Sequence, residues 1–290
     1  MTRTTAKPAA PAPSVTPNAA PTPLPSVQAV LWLALFSLRE MARRRRLISL
    51  ALINLLPVLV VAVVRIWFPG EGITAQLQLT GLTHEAIIPF LVPIVAMAVG
   101  VSAIGEQIEE GTIVYTWTRP IRRRAIYLGR LLAAQVTAAG MLSASLVLCF
   151  LVMVSEGLHV VTWEFLRLYL ATFAIIALGA WAYTALFAAV GTHFKKPVFP
   201  AIIFAFGWEN MVTGVPARVQ ELSLRFHLQN LVDRPPTDTS DLPGILGAIL
   251  TAAVQRDPVP RLQSVVVLLV VGLAAAAVGV WLLKHKEIDK

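Results

Sequence analysis

Residues Glu106 to Arg130 read EQIEEGTIVYTWTRPIRRRAIYLGR. Three acids, Glu106, Glu109 and Glu110, fall among the first five positions, and Arg119, Arg122, Arg123 and Arg124 crowd into six later ones. Long apolar runs flank this stretch, Ala86 to Ile104 before it and Leu131 to Val154 after it. The hydrocarbon core of a bilayer is crossed by about 20 apolar residues in helical form. The flanking runs have that length, so the charged stretch is read as a connection between two membrane spans.

The rest of the chain fits that reading. Of 290 residues 57% are hydrophobic and only 14% charged, where a soluble domain carries about 25% charged residues. Mean hydropathy is +0.72. Further apolar runs at Leu47–Val64, Phe165–Val190, Val198–Glu209 and Val265–Leu283 bring the expected total to six spans. The class is all-α integral membrane. Before the spans, Val27–Leu38 is apolar but too short to cross, and Arg43, Arg44, Arg45 and Arg46 follow it. That pattern predicts a helix lying in the interface, over 26–46, anchored by anionic headgroups. The first 25 residues hold seven prolines between Pro8 and Pro25 and are expected to be a disordered tail.

Charge placement sets the expected topology. With the N-terminus inside, 17 of the 24 Lys and Arg fall on inside segments, as the positive-inside rule requires. Both termini are therefore expected in the cytoplasm, with a membrane domain over 47–284, a cytoplasmic segment at 105–130, an outer loop at 209–264 and a short tail at 285–290. The net charge of +8 then reflects topology rather than nucleic-acid binding. The apolar stretch 242–254 is too short to span and is expected to be interfacial or re-entrant.

Catalytic and metal signatures do not emerge. The sequence has no G-x-x-x-x-G-K-[ST] phosphate loop. His84-Glu85 begins a zinc-protease pattern that fails at Ile88. The five histidines are scattered and are expected at interfaces or in solvent, and the single Cys149 reads as an apolar helix residue. No cofactor is expected. Glu209 is the one acid near membrane depth. It is expected either at the headgroups beside Trp208, at the outer gate of a pathway, or capping the helix that follows.

Topology accounts for the arginines of the opening stretch but not for its acids and aromatics. Pro120 interrupts helix formation and biases Arg119 away from helical angles. A short helix, a break at Thr118–Pro120 and a second helix are expected, with Ile121, Ala125 and Leu128 on one face and Arg122, Arg123 and Arg130 off it, reaching headgroups. Tyr115 and Trp117 beside charged neighbours suit a protein-binding surface.

In EEGTIVYTWTRPIRRRAIYLGRLLA the chain resembles the permease subunits of type 2 ABC transporters, in the segment after their second span. Glu109, Gly111, Thr112, Pro120, Arg123, Gly129 and Arg130 match the pattern, with Gln107 in place of a usual acid and Arg130 in place of a usual Lys. WENMVTGVPARVQELSLRFHL is similar to the outer end of the fifth span in bacterial members, and the layout extends the likeness over 26–286. The resemblance implies an exporter-like dimeric permease in a bacterial inner membrane. Glu106, Glu109, Glu110, Gly111, Thr112, Tyr115, Trp117, Pro120 and Arg123 would dock a separate cytoplasmic ATP-binding subunit. A membrane scaffold that docks an ATPase without transport, and a membrane-embedded enzyme, are the competing readings.

Overall fold

The computed structural model describes residues 26–42, 46–67, 75–109, 122–155, 161–214, 218–232 and 259–286. The Pro-rich tail 1–25, Arg43–Arg45, Glu110–Ile121, the stretch 242–254 and residues 287–290 lie outside them. Among the described residues the structure is all helical, without strands. This is the outcome that a bilayer demands, because each backbone N–H and C=O must find its partner inside the segment.

Helix α1 is Ser26–Ala42, α2 is Arg46–Trp67, and α3 is Ala75–Leu82. A π-helical stretch, Thr83–Leu91, joins α3 to α4, Val92–Glu109. Helices α5, Arg123–Val154, and α6, Trp163–His193, are 32 and 31 residues long. Helix α7, Val198–Ile202, continues through a second π-helical stretch, Ile203–Trp208, into α8, Glu209–Gly214. A 3₁₀ turn at Arg218–Leu222, α9 at Leu224–Leu231 and α10 at Arg261–His285 are the remaining described elements.

Among the described residues five helical segments are long and apolar enough to cross a membrane: Leu47–Trp67, Gln78–Glu109, Arg123–Val154, Trp163–His193 and Arg261–His285. Val198–Val212 is apolar but shorter. The chain is thus a multi-pass membrane protein. The second span begins earlier than its apolar run implied. The third includes the basic helix that precedes it, so Arg123 to Val154 is one continuous rod.

The centre of the bundle is the seam between α4 and α6. A Cβ on Gly100 would lie 2.9 Å from the Thr184 carbonyl oxygen and 3.0 Å from Phe187 Cβ. One on Gly191 would lie 3.0 Å from the Val101 carbonyl oxygen, and one on Gly105 3.1 Å from that of Gly191. Without a hydrophobic force between helices in lipid, such close backbone approach supplies the packing. The most apolar part of Gln78–Glu109 is accordingly 78% buried, against 22% for each of Leu47–Trp67 and Arg261–His285. These outer helices expose Leu52, Leu56, Leu59, Ile66, Val270 and Leu273. An apolar surface of that extent belongs against lipid.

Helix α1 leans on α5 rather than standing apart. Ala29, Ala34 and Ser37 are buried, while Leu31, Trp32, Leu35 and Phe36 face outward. Gly129 makes the contact: a Cβ there would come within 2.7 Å of Leu33 Cβ and 2.9 Å of the Val30 carbonyl oxygen. This contact corrects the expected face of the helix entering the third span. Ala125 is buried as expected, but Leu128 is 40% exposed, and Ile126, Tyr127 and Arg130 are buried. The sequence periodicity was that of an isolated helix, and α1 covers a different side.

Two glycines separate packing from propensity. Gly140 has open space where its Cβ would be. Gly140→Ala should therefore raise stability by roughly 0.5–1 kcal/mol, the ordinary cost of Gly within a helix. Gly100→Val should lower it by about 1–3 kcal/mol through overpacking. Unfolding of the purified protein in detergent checks both; equal behaviour of the two variants would refute the close-packed seam.

Candidate functional site

The helices run between two ends of the bundle, and polar side chains gather at each. At one end α4 stops at Glu109 and α5 starts at Arg123, so the 110–121 segment leaves and returns there. Arg122 is extended, with φ −65° and ψ 131°, and its carbonyl accepts from the Ala125 amide at 2.8 Å. Glu109 and Arg123 are exposed, and Glu106 is half-buried.

Cations at this end bond to carbonyl groups. Arg123 Nη1 donates to the Lys284 carbonyl at 3.2 Å, tying the start of α5 to the end of α10. Lys286 Nζ donates to the Thr192 carbonyl near the end of α6. Helix C-termini carry partial negative charge and favour such partners. Burial, and secondarily the neighbouring Lys195, hold the Lys286 ammonium below the usual lysine range.

Arg130 is the exception to the expected pattern. It does not reach outward to headgroups; it is 7% exposed. Its Nη1 donates to the Ala103 carbonyl of α4 at 2.7 Å, and its Nη2 to Glu40 Oε2 of α1 at 3.1 Å. A charge placed at this depth must be paired or hydrogen-bonded, and α1 supplies the carboxylate. The pairing joins residues 90 apart in sequence, so no local pattern could announce it.

At the opposite end Glu209 is buried within the protein, 2% exposed. Its carboxylate accepts from the Ser223 hydroxyl, from the Leu224 amide at 3.3 Å and from the Arg225 amide at 3.2 Å. The Ser223 hydroxyl in turn accepts from the Phe226 amide at 3.1 Å. Together they cap the first turn of α9, where free N–H groups and the helix dipole both favour an anion. Of the roles expected for Glu209, capping the following helix is the one its contacts describe. Arg225 Nη1 adds a bond to Asn210 Oδ1 at 2.7 Å.

Helix α9 is held on its other sides too. His227 is 1% exposed, contrary to the solvated or interfacial position expected for the histidines. Its Nε2 lies 2.8 Å from the Glu221 carbonyl oxygen and must donate to it, because a carbonyl only accepts. In the neutral ring Nδ1 then accepts from the Ser264 hydroxyl at 3.1 Å. Asn230 Nδ2 donates to Ser264 Oγ at 3.0 Å and to the Val259 carbonyl at 2.7 Å. Gln229 Nε2 donates to the His84 carbonyl at 3.0 Å. That carbonyl is available because Pro89, five residues on in a π-helical stretch, has no N–H to return.

The Ser264–His227 pair resembles the beginning of a nucleophile-base arrangement, yet Ser264 is 0% exposed and both partners are occupied on their far sides. It is a strut. Among the described residues no group of three or more His, Cys, Asp or Glu could hold a metal ion. Among the described residues neither end offers the open, convergent polar groups of an active site.

A family model described as ABC-2 family transporter protein matches residues 31–288. The chain belongs to this family. No curated protein matches it. The protein is therefore a transport permease of the ABC-2 type rather than an enzyme, and its family implies an ATP-binding partner. Of the residues expected in the permease to meet that partner, Glu106, Glu109 and Arg123 border the connecting segment at one end of the bundle. Glu110, Gly111, Thr112, Tyr115, Trp117 and Pro120 lie outside the described residues, as do Arg43, Arg44 and Arg45; Arg46 opens α2. Sequence reasoning about the permease missed Glu40, His227 and Ser264. Only Ser223, two residues after Glu221 and just before a helical stretch, carried a readable capping signal.

The cap yields a graded expectation. Glu209→Ala leaves the Ser223 hydroxyl and the Leu224 and Arg225 amides without their acceptor and should cost about 1–3 kcal/mol, with Glu209→Gln, which keeps one oxygen, milder. Amide exchange at Leu224 and Arg225 should accelerate in the same order. Unchanged exchange in Glu209→Ala would show that the carboxylate does not hold α9.

Proposed function

We propose that this chain is the membrane subunit of an ATP-driven exporter, paired with a second permease copy and driven by a separate cytoplasmic ATP-binding subunit. The family match over 31–288 is the observation that carries this reading. The sequence contains no phosphate loop, which is consistent with a motor on another chain. The segment between α4 and α5 is the docking element in this proposal, with Glu106, Glu109, Glu110, Gly111, Thr112, Tyr115, Trp117, Pro120 and Arg123 as its contact residues.

The topology proposed with it has six crossings. Besides the five long segments it counts the helical run 198–214, fifth in chain order, which at 1.5 Å per residue is about 25 Å long and ends in the polar cluster around Glu209. Helix α1 lies in the interface, its Leu31, Trp32, Leu35 and Phe36 face toward lipid and Arg43–Arg46 toward headgroups. Both termini are cytoplasmic in a bacterial inner membrane, as the distribution of Lys and Arg supports. The enzyme reading loses support from the enclosed state of His227 and Ser264. The scaffold reading retains the docking segment but lacks transport.

A docking test distinguishes these. Glu109→Lys or Gly111→Trp should reduce ATP hydrolysis stimulated by the permease roughly tenfold, within the range of site-to-site coupling energies, while membrane insertion and unfolding temperature stay normal. Unchanged capture of the ATP-binding subunit together with unchanged stimulation would sink the docking assignment. Hydrolysis that responds to the permease without net movement of any tested compound into vesicles would favour the scaffold.

A further inference from the structure

Glu40, Arg130 and Ala103 lie on three different helices, and their geometry goes beyond holding a fold together. Ala103 is six residues before the end of α4 at Glu109, and Arg130 seven residues after the start of α5 at Arg123. The guanidinium therefore sits roughly two turns inside the bundle from each end of the 110–121 segment. Its Nη1 is fixed to α4 through the Ala103 carbonyl at 2.7 Å, and its Nη2 to α1 through Glu40 at 3.1 Å. A planar fork can hold two acceptors in one geometry, which a lysine ammonium on a flexible stem does less well.

The neighbouring packing leaves little slack. Gly129 places α1 against the α5 backbone, with Leu33 and Val30 where a side chain would otherwise stand. Arg130 itself is 7% exposed and its bond to Ala103 is buried, so solvent screening on the arginine side is weak, while Glu40 is half-buried. A displacement of the last turns of α4 or the first turns of α5 therefore reaches α1 through a short, part-buried, charged contact.

We propose that Arg130, paired with Glu40, is a positioning residue that passes movement of the α4–α5 connection to α1, so that α1 shifts with the ATPase cycle. The inference rests on the permease reading above. Glu40 reads the arginine on one side while the lipid-directed face of α1, with Leu31 and Trp32, lies on the other. Motion begun at the docking segment would then change how α1 sits against its surroundings.

The experiment uses the full-length permease in liposomes with the ATP-binding subunit that it captures from its own membranes. Leu31→Cys carries an environment-sensitive fluorophore, and Cys149, buried in α5, is replaced by Ala. Trapping with ATP and vanadate should change the label's emission when Glu40 is present. In Glu40→Gln and Arg130→Lys the change should shrink roughly tenfold, with capture of the ATP-binding subunit and unfolding temperature retained. Glu40→Asp should restore much of it, which a purely structural contact would not require. A full emission change in Glu40→Gln overturns the proposal, as does a loss that a fall in unfolding temperature accompanies. If the unsubstituted protein captures an active ATP-binding subunit but the label stays silent, the link through Arg130 fails alone. If it captures none, the permease reading fails and the link with it.

Discussion

The approach of α4 to α6 is the contact around which the other helices are arranged. Gly100, Gly105 and Gly191 bring the two backbones close enough that a methyl group would press on a carbonyl oxygen or Cα. In lipid this kind of contact supplies what hydrophobic burial supplies in water. Once the pair is set, α5 and α10 close on its flanks and α2 is left at the rim, with most of its apolar surface outward. The last helix closes by the same means, with Gly272 beneath Trp181 and Gly279 beneath Tyr127.

The two ends of the bundle solve the problem of unpaired polar groups by opposite chemistry. Where α4, α6 and α10 finish, the exposed groups are carbonyls, and Arg130, Lys286 and Arg123 donate to them or to carbonyls close by. Where α9 begins, the exposed groups are amides, and Glu209 accepts from them. Each sign of charge follows the direction of the helix it serves. The charged connection between α4 and α5 thus emerges from an end already rich in cations, and its acids stand out against that background.

Hydropathy made the membrane class and the positions of five long helices legible, because an apolar run of sufficient length has one dominant solution in a bilayer. Element ends were less legible. The second span starts at Gln78, eight residues before its apolar run, whereas the helix at Arg123–Arg124 leads into the third span as one rod. Side-chain partners across the bundle were hidden altogether. Arg130 looked like a headgroup ligand because sequence shows the charge but not the helix that covers it. His227 looked like a surface histidine because Ser264 is 37 positions away. The capping role of Glu209 was visible as one of several choices, and only the position of Ser223 and the α9 amides selects it. The aromatic and acidic residues of 110–121 were legible as surplus to topology, and their proposed role still rests on that sequence argument and on the family.

The polar cluster around α9 also has a consequence for the order in which the chain is made. Glu209 is synthesised before the Ser223 hydroxyl and the Leu224 and Arg225 amides that it binds, and Ser264 follows much later, at the start of the final helix. Until that helix arrives, His227 and Asn230 lack their common partner. A nascent chain that stopped short would expose those groups at the edge of the membrane. The Glu209 cap and the Ser264 strut are thus made in two stages, the second only once α10 is in place.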